Sequence, residues 1–155
     1  MAQHDSATVA SYELEVPVQA QRDVVWDALT SSTNEWWLPD FRILGPDSTV
    51  NLDPVPGGLL AEHGAEGAAL VWYSVQMVVP GKSLNLVGHI APAWGGPALS
   101  MLQLKLEPTD DGTVLKISDA LVGVMSETQL ASLQSGWKQL FGEGLAAWVA
   151  RAPQS

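Results

Sequence analysis

Asp119 is the only candidate catalytic residue in this sequence. In "TVLKISDAL", residues 113–121, alternation places Asp119 on one face with Leu115 and Ile117, against Lys116 and Ser118 on the other. A carboxylate in apolar company needs water or a partner. Two placements meet that need: the mouth of a pocket, where Asp119 would orient a ligand or move a proton, and a strand end solvated by the turn that follows. Lys105 and Lys116 both alternate onto the outer face, so neither is an obvious counter-ion. Desolvation without a cation favours the neutral acid, which puts the expected Asp119 pKa above the ordinary ~3.9.

The three histidines, His4, His63 and His89, form no H-x-x-x-H or H-E-x-x-H spacing, and there is no cysteine. Zinc needs several convergent ligands at set spacing, so neither a metal nor a cofactor is expected. Glu62 and His63 are adjacent on a strand pattern and would point to opposite faces. No nucleophile elbow, phosphate loop or paired acidic motif occurs.

Aromatic residues offer a different chemistry, that of recognition. Trp94 lies in "APAWGGPA", a loop of two prolines and two glycines, where it either covers a pocket as a lid or caps a small cluster beneath the loop. Trp72 and Tyr73 are consecutive in a strand pattern, so one is expected to face inward and the other outward. Near the C-terminus, "SETQLASLQSGWKQLFGEGLAAWVAR" carries Leu130, Leu133, Trp137, Leu140, Phe141, Leu145 and Trp148 at the spacing of one helix face. Gly136, Gly142 and Gly144 interrupt it, each at a cost of up to ~1 kcal/mol relative to Ala. Gly144 falls on the same side as Trp137, Phe141 and Trp148. It leaves a gap that either a sheet residue or a bound molecule would fill.

The elements that must position these residues follow from periodicity. "VASYELEVPV" alternates as a half-buried strand over 9–18, and "QRDVVWDALT" turns to helical spacing. Ser32 and Glu35 have capping-box spacing before a second short helix that Pro39 stops. From about 41 to 121 the chain reads as strands and turns: "FRIL", "LLAEH", "ALVWYSVQMVV", "LNLVGHI", "LSMLQLKLE" and "TVLKISDAL". Ser126 and Gln129 begin the closing helix with another capping box. The implied architecture is α+β, a curved antiparallel sheet of about six or seven strands wrapped around a long C-terminal helix, with two short helices after the first strand. A single domain over 9–150 and flexible termini at 1–8 and 151–155 are expected.

Composition narrows the function. The 155 residues are 46% hydrophobic and 15% charged, with a net charge of −10 and seven scattered Lys and Arg. Such a chain has no basic patch for nucleic acid or anionic membranes. The opening residues lack the pattern of a signal peptide, and no apolar run reaches the ~20 residues of a membrane span, so a cytoplasmic location is expected.

Four motifs in order resemble one family. "VPVQAQRDVVWDALTSS", "EWWLPD", "PVPGG" and "QSGWKQLFGEGLAAWV" are similar to elements of the START-like or SRPBCC superfamily, with its Bet v 1 helix-grip fold. Within it they resemble the branch named after the activator of the heat-shock protein 90 ATPase. The hairpin "VQMVVPGKSL" extends the likeness to nearly all of 9–150. The resemblance implies a cavity between the sheet and the final helix. On the strand and loop side its expected lining is Trp36 or Trp37 from the W-W element, one anchoring the short helix and the other at the mouth, with Trp72, Trp94 and Asp119. From the closing helix it is Leu133, Trp137, Phe141 and Gly144. A small hydrophobic or amphipathic molecule would bind there, to a monomer or homodimer. The alternatives are a cyclase- or aromatase-type enzyme using the same cavity, and a co-chaperone-like interaction module.

Overall fold

The computed structural model describes residues 2–151; the flexibility expected of residues 152–155 concerns positions outside them. Seven strands, β1 (Thr8–Val18), β2 (Thr49–Leu52), β3 (Leu59–His63), β4 (Ala69–Val79), β5 (Ser83–Ile90), β6 (Ala98–Thr109) and β7 (Gly112–Gly123), form one antiparallel sheet. Its order is β1-β7-β6-β5-β4-β3-β2. Between β1 and β2 run helices α1 (Arg22–Ser31) and α2 (Thr33–Trp36). The closing helix runs as α3 (Glu127–Gln139), a π-helical segment (Leu140–Ala146) and α4 (Ala147–Arg151). This is the helix-grip arrangement that the strand and helix patterns imply.

Period-two alternation builds the core in rows across the sheet. Leu14, Ile117, Leu104 and Leu84 are consecutive partners in one row, and Val16, Leu115 and Leu106 in the next. Ile117, Leu104 and Leu84 are at most 3% exposed, and each such side chain stabilises the fold by about 1.5–3 kcal/mol. The outer face carries the charges: Lys116 pairs with Glu107 at 2.9 Å and Glu15 at 3.8 Å, as its alternation requires.

Ser126 starts the closing helix as its sequence predicts. Its hydroxyl accepts from the Gln129 N–H at 3.1 Å, and the Gln129 side chain accepts from the Ser126 N–H at 2.7 Å. The Ser32 box does not form, because α2 is a single turn whose N-cap side chain makes no bond. Nor is "FRIL" a strand. The Ile43 and Leu44 N–H groups donate to a side chain, the Glu62 carboxylate, so that segment has no ladder to join.

The most consequential departure is at Trp72 and Tyr73. Leu60 pairs with Tyr73 and Ala61 with Val71, so a bulge leaves Trp72 without a partner on β3. A bulge breaks strict alternation and re-aims a side chain. Both aromatics therefore face the concave side, where a regular strand would have sent one outward.

Candidate functional site: an aromatic cavity beneath the closing helix

Between the concave sheet and α3 lies a cavity of about 320 Å³, open at one side. Trp37, Phe41, Trp72, Tyr73, Trp94 and Trp137 give it six aromatic walls, and Leu133, Gly136 and Leu140 complete the helix side. Trp37 and Trp72 meet at a centroid distance of 5.4 Å and 56°, as do Tyr73 and Trp137 at 5.8 Å and 56°. Trp94 is 53% exposed on the turn between β5 and β6, at the mouth. That turn is tied to the helix, since Gln129 Nε2 donates to the Gly95 carbonyl at 3.0 Å.

Trp36 and Trp37 have separate roles. Trp36 is buried and donates to the Ala28 carbonyl at 2.8 Å, anchoring α2 on α1, whereas Trp37 lines the cavity. Trp36 and Phe141 instead line a void of about 20 Å³ within the core. Gly144 lies outside the cavity wall. A Cβ there would sit 2.6 Å from the Trp36 carbonyl oxygen, so the missing side chain lets the closing helix approach α2. Gly136 is the glycine that opens the cavity, with only Phe41 Cε1 at 3.7 Å from its would-be Cβ. Trp148 is half-buried against the core, away from the cavity.

Asp119 is 1% exposed and sits behind the wall. The Tyr12 hydroxyl donates to its Oδ2 and the Ser100 hydroxyl to its Oδ1, each at 2.7 Å. Ser100 gives its single proton to Asp119, so Tyr73, 2.8 Å from Ser100 Oγ, must be the donor in that pair. Burial pushes the Asp119 carboxyl up, and the bonds from Tyr12 and Ser100 only partly counter it. The two phenols are also raised, by burial foremost and by the nearby Asp119 charge. Trp137 Nε1 is buried with no hydrogen-bond partner. Gly88 makes room for this network: a Cβ there would lie 2.7 Å from Tyr73 Cε1. A glycine inside an alternating strand was the available signal for that close approach.

Glu62, which strand alternation sets opposite His63, is a second buried carboxylate, and its burial is not evident from the sequence. Glu62 is fully buried and accepts from Leu44 N (2.7 Å), Ser48 Oγ (2.8 Å), Trp72 Nε1 (3.1 Å) and Ile43 N (3.2 Å). Burial alone would raise its pKa, but these four donors outweigh burial and hold it below the usual range. Its neighbour His63 is exposed on the opposite face. Among the described residues no group of three or more His, Asp or Glu side chains is placed to hold a metal ion, and no helix is long and apolar enough to cross a membrane.

A sheet gripping a terminal helix over an aromatic cavity defines the helix-grip class of the SRPBCC superfamily. The chain belongs to the family described as Activator of Hsp90 ATPase homolog 1-like protein, which it matches over residues 19–150. No curated protein sequence matches it. Solved structures share the fold. An uncharacterized protein from Rhizobium leguminosarum superposes with a TM-score of 0.70 at 16% identity, covering 95% of this chain and 98% of that one. A Mesorhizobium loti protein gives 0.65 at 23%, covering 94% and 100%, and an AHSA1-like protein from Aeromonas hydrophila 0.61 at 15%, covering 94% and 99%.

Proposed function

We propose that this protein binds a small hydrophobic or amphipathic molecule, held one to one between the sheet and the closing helix. The observation that carries this reading is the aromatic-walled cavity of about 320 Å³, a volume within the range of small-molecule sites. Membership of a family with the helix-grip fold, which commonly encloses apolar ligands, supports it. Trp37, Trp72, Trp94, Leu133 and Trp137 supply the contact area. Asp119 acts behind them, fixing Tyr73 through Ser100. The alternative of a reaction in the same cavity rests on Asp119, whose carboxylate is already bonded to Tyr12 and Ser100 behind the wall. The test is titration with a panel of uncharged apolar probes, followed by tryptophan emission. Saturable binding near 1:1 with altered emission is expected; no binding across the panel contradicts the reading.

A further inference from the structure

We propose that the cavity is selective for a ligand whose polar end is an alkylammonium, a tertiary or quaternary amine on an apolar body, and disfavours the corresponding carboxylate. This rests on the ligand-binding reading above and specifies the class of molecule.

The first ground is what the wall leaves free. Its hydrogen-bond donors are largely committed to protein acceptors: Trp37 Nε1 to the Phe41 carbonyl, Trp72 Nε1 to Glu62, the Tyr73 hydroxyl to Ser100, and Gln129 Nε2 to the Gly95 carbonyl. Trp137 Nε1 is the exception, buried with no hydrogen-bond partner. The other polar groups that remain, on His89, Trp94 and Ser132, stand at the exposed rim. Among the described residues no Lys or Arg lines the cavity. A carboxylate entering it would lose its hydration and find no cation and a single inner donor, the Trp137 indole N–H, which does not offset the desolvation of a charge.

An ammonium meets the opposite situation. Trp137 stacks on Phe141 at 5.6 Å and Trp37 packs on Trp36 at 5.7 Å, but both rings also line the cavity, and the two corners at 56° offer π surface to a cation, which is attracted within about 6 Å of a ring centroid. A tertiary or quaternary amine is weakly hydrated compared with a primary one, so less is lost on entry. It also needs few hydrogen bonds from the wall.

Two carboxylates stand behind the wall. Glu62 touches the cavity through Trp72, whose N–H donates to its Oε1 at 3.1 Å. An indole whose N–H is held by a carboxylate has a more electron-rich face. Asp119 lies behind Tyr73 through Ser100. Arg42 is the cation of the neighbouring segment, but its guanidinium is taken up by carbonyl oxygens of Asn34, Trp37 and Ser48, and it makes no ion pair with Glu62 within 4.0 Å. The net charge of −10 adds attraction for cations at long range.

Three probes with one apolar body separate the possibilities by calorimetry: 2-naphthylmethyl-trimethylammonium, 2-naphthylmethanol and 2-naphthylacetate. The ammonium should bind about tenfold more tightly than the alcohol, and the acetate more weakly than either. Equal affinities would overturn the charge preference while leaving the cavity reading standing; no binding of any probe would overturn both. The preference should persist in about 0.5 M salt, where screening shortens to about 4 Å, because the contact is inside the cavity. Its loss there would assign it to surface charge and overturn the proposal. Glu62→Gln should reduce the ammonium-to-alcohol ratio. Since that variant removes an acceptor of four donors and can unfold the chain, Trp72→Phe provides the second reading, keeping a ring but cutting the link to Glu62. A ratio unchanged in Trp72→Phe contradicts the role given to that link.

Discussion

Gly142 and Gly144, two residues apart in the π-helical segment, should respond to alanine with opposite signs. Neither has a positive φ, so each can accept a side chain as far as the backbone is concerned. At Gly142 a Cβ meets nothing within 4 Å, and alanine should stabilise by up to ~1 kcal/mol through the smaller entropy of the unfolded chain. At Gly144 the same gain meets a Cβ placed 2.6 Å from the Trp36 carbonyl oxygen, with Leu38 Cγ and Trp36 Cε3 both at 3.5 Å. Backbone cannot rotate aside as a side chain does. Overpacking of that kind costs about 1–3 kcal/mol, leaving Gly144→Ala neutral to ~2 kcal/mol less stable than wild type. The two variants should therefore differ by about 1–3 kcal/mol, or roughly 2–12 °C in Tm for a chain of this size. Urea unfolding followed by tryptophan emission measures this, with the denaturant slope unchanged. Ligand affinity per folded molecule should be intact in both, since neither residue lines the cavity. Gly144→Ala matching or exceeding the stability of Gly142→Ala would refute the helix-to-α2 packing argument.

Gly136→Leu should cut affinity for an uncharged apolar probe at least about tenfold while leaving the unfolding midpoint near wild type, because the added side chain enters open cavity space. Glu62→Gln should destabilise by about 2–4 kcal/mol at neutral pH, because an amide NH₂ then faces donors. A lowered folded pKa means the contribution of Glu62 is present above the unfolded value of ~4.3 and is lost as pH falls through the folded one, so the deficit should shrink in acid. Asp119 has the opposite sign. Its folded pKa is raised, so ionisation penalises the fold from the unfolded value of ~3.9 upward and levels off above the folded value. Asp119→Asn should gain on wild type across that window in denaturation measured at a series of pH values, and a carboxyl titration by NMR showing an unshifted or lowered pKa would contradict this.

The fold was legible because its strands announce themselves. Leu102, Leu104 and Leu106 alternate so regularly that the inward face, and with it the outward Lys105 and Lys116, follows without a structure. The site was legible only in part. Trp37, Trp72, Trp94, Leu133 and Trp137 fall on the cavity wall, but alternation could not foresee the bulge that turns both Trp72 and Tyr73 inward. Helix-face spacing placed Gly144 beside Trp137, yet it could not show that the far side of that glycine is the Trp36 backbone. Glu62 was hidden for a related reason. Its partners are N–H groups of a segment that reads as a strand, and a side chain replacing a ladder leaves no periodic trace.

The most direct test of a ligand held beneath the closing helix is the set of seven indole N–H signals in a nitrogen–proton correlation spectrum, recorded as 2-naphthylmethanol is added. The signals of Trp37, Trp72, Trp94 and Trp137 should shift together with one saturating dependence, while those of Trp26 and Trp148, which pack on the core away from the cavity, should hold. Shifts confined to Trp26 and Trp148, or no saturable shift at any indole, would contradict it.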